Sequence, residues 1–468
     1  MTAPQTSAVA AEAIAGQLAQ RFGAANVISD PNGLPNYKVD GMRPAAAVTA
    51  SSAEDIAELL RIAAKDRFAV IPCAGRTKLH VGAPPARYDL ALDVSRMNKI
   101  LGYEPRDLTL RVEPGIRFAD LAATLARERQ FLPLNPPFLQ RATIGGILAA
   151  DSVSPLRHAY GSARDFVLGM EFVSGNGTAS KSGGRVVKNV SGYDLHKLLI
   201  GSLGTLAVIT AANFKTFPMP PAQAVFVAAF ASSAQALQFC RALANSPLQP
   251  NQVDALSPET AQLLKAETQN ASALPDGKWS VVISAAGSER VVERHRRDIS
   301  ALAEQAKSAS CDALGDTHES MQTAAALLGA IREFPALTLK FDPSAVIFRI
   351  AALPSAMDRL ALELSSAAAD NSIRFALLLR SYGFAYFALL PSNKSTSTPQ
   401  AMAQIASRVF QTCAEVGAKA SIESAPLELK RAVNVWGPAR PDFALMRRVK
   451  TVVDPAGILS PGRFAGGI

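Results

Sequence analysis

The sequence has no CxxC pair. Its four cysteines, Cys73, Cys240, Cys311 and Cys413, are scattered over 468 residues. That removes a thiolate-held iron–sulfur cluster and a structural zinc site as readings. So few thiols in so long a chain suit a reducing compartment such as the cytoplasm. Histidine is scarce too. His80, His158, His196, His295 and His318 form no HxH or HxxxH pair, so no metal is expected. Neither GxGxxG nor GxxxxGK[ST] occurs, which disfavours a Rossmann dinucleotide site and rules out a Walker loop. No uncharged run reaches the roughly 20 apolar residues of a membrane span. The stretch from Leu198 to Phe214 is broken by Gly201, Ser202, Gly204 and Asn213. The N-terminus lacks the basic region and continuous apolar stretch of a signal peptide and reads as a short amphipathic helix. Acidic residues are in deficit, 39 against 48 Lys and Arg, for a formal charge of +9. The basic residues form no stripe beyond pairs such as Arg296–Arg297 and Arg447–Arg448, so nucleic acid is not expected as a partner.

What is present is a large apolar fraction, 49% of residues, enough for about three domains. Residues 1–42 form a helical lead-in. Residues 43–219 are rich in short β-like runs and glycine turns. AAVTA (45–49), FAVIP (68–72), DLALDV (89–94) and LTLRVEP (108–114) read as strands. Ser52–Lys65 and Phe118–Arg129 read as helices, and FVLGMEFVSGNG (166–177) as a strand entering an Asn-Gly hairpin turn. Residues 220–433 repeat one pattern: an apolar strand, a Ser or Pro break, then a helix. VFVAAF, WSVVISAAG, AVIFRIAAL and FAYFALLP are the strands. The pattern predicts a ferredoxin-like sheet with helices on one face. SNKSTSTP (392–399) reads as a polar loop. Residues 434–468 hold a helix over about 442–453, stopped by Asp454-Pro455.

Three segments carry chemistry. In VIPCAGRTKL (70–79) a strand runs straight into Ala74-Gly75-Arg76-Thr77-Lys78. Small residues there let successive backbone N–H groups converge on a phosphate, with Thr77 as a hydroxyl donor and Arg76 and Lys78 as cations. An ordinary tight turn satisfies the same pattern. In PPFLQRATIGGILAADSVSPLRHAYGSARDFVLG (136–169), Gly145, Gly146, Ala149 and Ala150 remove side-chain bulk along one stretch. A flat ligand or a Gly-rich helix start both fit. In GGRVVKNVSGYDLHKLLIGSLGTLAVIT (183–210), Gly201 and Gly204 bracket a tight loop before an apolar strand.

Together and in this order, the three segments resemble the FAD-binding PCMH-type domain of the vanillyl-alcohol oxidase/D-lactate dehydrogenase superfamily, over about 175 residues. The resemblance implies an α+β fold: a PCMH-type FAD-binding domain of two α/β subdomains, then a ferredoxin-like α+β cap, with 434–468 returning to the FAD domain. It implies non-covalent FAD held by Ala74, Gly75, Arg76, Thr77, Lys78, Leu79, Pro137, Thr143, Gly145, Gly146, Ala149, Ser152, Gly161, Gly204 and Ile209. Within the superfamily, SPLRHAYGSARDFVLG, GGRVVKNVSGYDLHKLLIGSLGTL and DPAGILSPGRF resemble the FAD-binding E subunits of glycolate oxidases. Catalytic D-type relatives read Ser-Glu-Gly where this sequence has Ser202-Leu203-Gly204. Ser460 stands where the terminal motif carries Asn, and the middle region is longer than in typical E subunits.

The resemblance implies partners: a catalytic flavoprotein subunit, an iron–sulfur subunit and a small hydroxy acid, with peripheral association at the inner membrane through those partners. Hydroxy-acid-oxidising relatives place His residues and a carboxylate over the flavin, often around a divalent metal. No such set is legible here, and no catalytic base can be named. His158 and His196 read as structural. His80 lies beside the loop where some relatives attach FAD covalently. Arg157, Arg164 and Lys188 are candidate anion anchors. Three functions stay open: an FAD subunit of a glycolate oxidase-like complex, a self-sufficient FAD-linked oxidoreductase, and a scaffold with a structural or vacant FAD site.

Overall fold

The computed structural model describes residues 8–185, 192–391 and 398–468. The SNKSTSTP loop and Lys188 therefore fall largely or wholly outside the described residues. The chain opens with α1 (Ala8–Phe22), then β1 (Val27–Ile28), β2 (Ala46–Thr49), α2 (Ala53–Asp66), β3 (Val70–Cys73) and β4 (Leu90–Asp93). The four strands form one sheet in the order β1-β2-β4-β3, with β2 and β3 parallel to β4. Ser52 starts α2 through a full capping box with Asp55, which satisfies two N-terminal donors reciprocally. Ile56, Leu59, Leu60 and Ala63 share one face of α2 and pack on this sheet.

A second sheet follows. Its elements in chain order are β5 (Ile100–Glu104), β6 (Thr109–Val112), α3 (Phe118–Arg127), β7 (Gln130–Phe131), α4 (Ile144–Ala150), α5 (Arg157–Tyr160), α6 (Ala163–Phe166), β8 (Val167–Ser174), β9 (Ala179–Gly183), α7 (His196–Leu199), β10 (Ala207–Lys215) and β11 (Phe217–Pro218). Five strands pair in the order β5-β6-β10-β8-β9, all antiparallel. The Asn-Gly turn joins β8 to β9 as a hairpin, with Gly177 at φ 77°. β7 and β11 form a separate ribbon.

The remaining chain builds the cap. Its elements are β12 (Ala222–Phe230), α8 (Ser233–Ala244), β13 (Gln252–Leu256), α9 (Pro258–Glu267), β14 (Trp279–Gly287), α10 (Glu289–Gln305), β15 (Ser310–Leu314), α11 (His318–Arg332), α12 (Phe334–Phe341), β16 (Val346–Ala351), α13 (Met357–Asp370), β17 (Arg374–Arg380), β18 (Phe384–Leu390), α14 (Pro399–Glu415), β19 (Lys419–Ser424) and α15 (Leu427–Ala432). Eight strands form one sheet, β15-β12-β14-β13-β17-β18-β16-β19. The four repeats supply β12, β14, β16 and β18 and the helices α8, α10, α13 and α14, which cover one face as expected. The other face also carries helices: α9, α11 and α12 pack on Val225, Val227, Leu378 and Tyr386. Where they stop, that face turns polar, with Arg349, Arg380, Asp254 and Glu423 all buried or nearly so. Period-two alternation puts these side chains opposite the apolar ones on the same strands.

The last helix, α16 (Phe443–Val453), leads the chain back to the first sheet. Val70 N–H donates to Ile458 O at 2.8 Å and Ser460 N–H to Val70 O at 2.8 Å. Ser460 adopts φ 45°, a left-handed conformation that Asn tolerates better than Ser. No helix among the described residues is long and apolar enough to cross a membrane.

Candidate functional site

A cleft that encloses about 800 Å³, part of it open to solvent, lies between the two N-terminal sheets. Twelve of the fifteen expected binding residues line it: Ala74 to Leu79, Thr143, Gly145, Gly146, Ala149, Gly204 and Ile209. Three do not. Ser152 and Gly161 line a small neighbouring cavity of about 230 Å³, and Pro137 lies in the adjoining loop. The walls also include residues the motifs did not single out, among them Cys73, Val94, Pro114, Leu203, Val208 and Arg463.

Each wall follows from local structure. The 74–79 loop leaves the end of β3, with Arg76 at φ 57°. A left-handed residue after extended chain turns neighbouring N–H groups the same way, the nest geometry that suits phosphate. Arg76 is fixed from beneath: Nη1 donates to Asp93 Oδ2 at 2.9 Å, and its guanidinium lies 4.8 Å from the Tyr37 ring centroid. A side chain at Gly75 would collide with the Arg141 carbonyl. Gly146 differs, because a Cβ there would meet only Thr143 Oγ1, at 3.3 Å. Gly204, at φ 69°, closes the opposite wall against Pro72.

Two buried polar atoms on this wall have no protein partner: Thr143 Oγ1 and Arg463 Nε. Arg463 comes from the C-terminal segment, and its Nη2 donates to Leu79 O at 2.6 Å and to Val81 O. It is 3% exposed. Burial pulls its guanidinium below the ordinary range. Asp40 offsets that burial only in part, and a buried cation with an unpartnered N–H favours an anion beside it. An open nest, a bulk-free wall and an orphaned guanidinium together fit an extended, doubly charged nucleotide.

The cap closes on this cavity through named contacts. Lys78, on the wall, pairs with Glu423 of β19, and Glu423 Oε2 lies 3.6 Å from Arg349 Nε on β16. Arg349 also donates to Asp151 O at 3.1 Å and Ala150 O at 3.4 Å, at the end of α4. Burial alone would raise the Glu423 carboxyl, but Lys78 and then Arg349 outweigh it and hold it below the ordinary range. Glu333 accepts from Phe138 N–H at 2.6 Å and Leu139 N–H at 3.2 Å. His80 lies beside this seam, its ring 6.4 Å from that of Phe138. Burial first, then Lys78, pushes its imidazole down to about 3.

His158 Nδ1 lies 2.9 Å from Ser381 Oγ and His196 Nδ1 2.9 Å from Ser182 Oγ, and neither lines the cavity. The Arg157 guanidinium lies 5.9 Å from the Tyr382 ring centroid, and neither Arg157 nor Arg164 lines the cavity. Among the described residues, no three His, Cys, Asp or Glu side chains converge as metal ligands. Sequence reasoning missed Glu423, Arg349 and Glu333, which carry no motif. Arg463 stood in the quoted SPGRF segment and could have been found there.

Comparison with known proteins agrees with this geometry. The family described as "FAD binding domain" matches residues 44–183, and "FAD linked oxidases, C-terminal domain" matches residues 219–464. Glycolate oxidase subunit GlcD of Bacillus subtilis is 26% identical over 447 residues, 94% of this chain and 92% of that one. Glycolate oxidase subunit GlcE of Escherichia coli is 36% identical over 166 residues, 35% of this chain and 47% of that one. D-lactate dehydrogenase of Anaerostipes hadrus is 34% identical over 178 residues, 38% and 37% of the two chains. Among solved structures, p-cresol methylhydroxylase superposes with a TM-score of 0.77 at 17% identity, covering 97% of this chain and 96% of that one, a likeness of fold.

Proposed function

Since the chain belongs to the FAD-linked oxidases, with FAD as cofactor, we propose that it is the flavin-carrying subunit of a glycolate oxidase-like dehydrogenase complex acting on a small 2-hydroxy acid. The flavin, when bound, supplies a two-electron acceptor; the chain binds it, orients it and shields it from water. The proposed binding residues are Ala74 to Leu79, Thr143, Gly145, Gly146, Ala149, Gly204 and Ile209, joined by Arg463. Pro137, Ser152 and Gly161 would act only by shaping neighbouring loops.

One observation carries the complex reading. Among the described residues, the cavity wall holds Arg76, Lys78, Arg463 and the thiol of Cys73, but no carboxylate, imidazole or phenol. Burial pushes that thiol well above its ordinary value. Oxidising a hydroxy acid requires a base for the hydroxyl proton, and the lining residues offer none. A partner subunit would bring substrate and base, an iron–sulfur subunit would complete the complex, and this chain's residues would hold the flavin between them. The length of the match to a GlcD subunit favours a second reading, a chain that turns over its substrate alone.

The test is the visible spectrum of the purified chain with glycolate or D-lactate under anaerobic conditions. The proposed role predicts a yellow protein that bleaches only with its partner subunits present. Bleaching of the isolated chain would favour self-sufficiency. A chain that stays colourless after FAD addition would favour a scaffold. Gly146→Leu, with its side chain filling the cavity, should lower flavin content at least tenfold while the circular dichroism spectrum is kept. If that variant stays fully yellow, the cofactor does not lie along this wall.

A further inference from the structure

Where the cap meets the cofactor cavity, one carboxylate answers for several cations. Glu423 is 2% exposed and its two oxygens face different lobes: Oε1 pairs with Lys78 of the cavity wall, and Oε2 faces Arg349 of its own sheet at 3.6 Å. Arg349 cannot swing away, because the Ala150 and Asp151 carbonyls hold its guanidinium. Arg463, on the cavity wall with Lys78, adds a third cation, and its Nε has no hydrogen-bond partner among the described residues. We infer that Glu423 is a positioning residue that sets the reduction potential of the bound flavin, by holding the Lys78 ammonium at the cavity wall and offsetting part of the positive charge gathered there.

The reason is electrostatic. Oxidised flavin that takes up two electrons and one proton becomes one unit more negative. A fixed cation nearby favours that change, and a fixed carboxylate opposes it. In a dry seam both act far more strongly than in water. Glu423 therefore keeps the potential lower than three bare cations would set it. Its ion pair also directs Lys78 toward the cap, away from the centre of the cavity. This inference rests only on the presence of FAD and not on the identity of the substrate.

The experiment is an equilibrium redox titration of the full-length, flavin-loaded chain against a reference dye. Four variants are compared with wild type: Glu423→Gln, Lys78→Met, Lys78→Arg and the double variant Lys78→Met/Glu423→Gln. Flavin content and thermal midpoint are recorded beside each titration. Glu423→Gln should raise the midpoint potential and Lys78→Met should lower it. The double variant should return close to wild type, and Lys78→Arg should stay there. A purely structural ion pair would move both single variants in the same direction, and that result overturns the inference. So does an unmoved potential in Glu423→Gln, which decides the matter alone if Lys78→Met arrives colourless. A wild-type chain that takes up no FAD would instead overturn the cofactor assignment and this inference with it.

Discussion

His80 is the imidazole with most to lose on acidification. In the unfolded chain its proton binds with the ordinary value of about 6.5, while in the folded chain it is pushed down to about 3. Between those limits the unfolded chain holds a proton that the folded chain does not. Stability therefore rises with pH across that window and is lost as pH falls through it. From pH 7 to pH 5 this group should remove about 1–2 kcal/mol. Urea midpoints at the two pH values should show the loss in wild type and a smaller one in His80→Gln. An equal drop in both would shift the cause to other groups. At this scale the sequence was legible where the backbone does the work. Gly75, Gly146 and Gly204 declare themselves by lacking side chains, and all three line the cavity. Ser152 and Gly161 carry similar signals but face a different, smaller cavity. A motif reports small residues in a row and leaves open which way each one turns.

At the level of elements, most of the chain could be read because its caps and periods are strong. Ser52, Ser232, Ser288 and Thr398 all cap helices with their side-chain oxygens. The four β-α repeats appear with boundaries shifted by only a few residues. Among the unread elements are β5, β13, β15, β17, β19, α9, α11, α12 and α15. They are short, or apolar without a clear period, so local pattern cannot separate them from loops. The junction of α11 and α12 has a testable role. Glu333 caps two backbone N–H groups of the loop 136–141, one of them on Phe138 at φ 59°. Such a strained residue persists only while its surroundings hold it. Glu333→Ala should cost about 1–3 kcal/mol by orphaning two donors. It should also speed protease cleavage between 136 and 141, detectable by mass spectrometry of limited digests. Cleavage at the wild-type rate would show that the loop holds itself.

At the scale of the whole molecule, the cofactor should act as a fold stabiliser. The cavity takes walls from both N-terminal sheets and the C-terminal segment, so FAD binds the native state alone. At a free concentration 100 times its dissociation constant it should add about 2.7 kcal/mol. Thermal midpoints of stripped and refilled protein should differ accordingly, and adding FAD to Gly146→Leu should change nothing. The partnerships that define this level were the least legible. Lys78 and Glu423 stand 345 positions apart in sequence, and nothing local in SIES (421–424) announces a buried ion pair. The return of the tail to β3 has a consequence for biosynthesis. Ile458, Ser460 and Arg463 complete a sheet edge and a cavity wall that begin at residue 70. A ribosome-bound nascent chain of 450 residues would hold the 74–79 and 201–204 loops and still lack the strut that steadies them. Flavin capture should therefore wait until residues 458–463 have emerged and folded back onto β3, and a chain stalled before them should come off colourless.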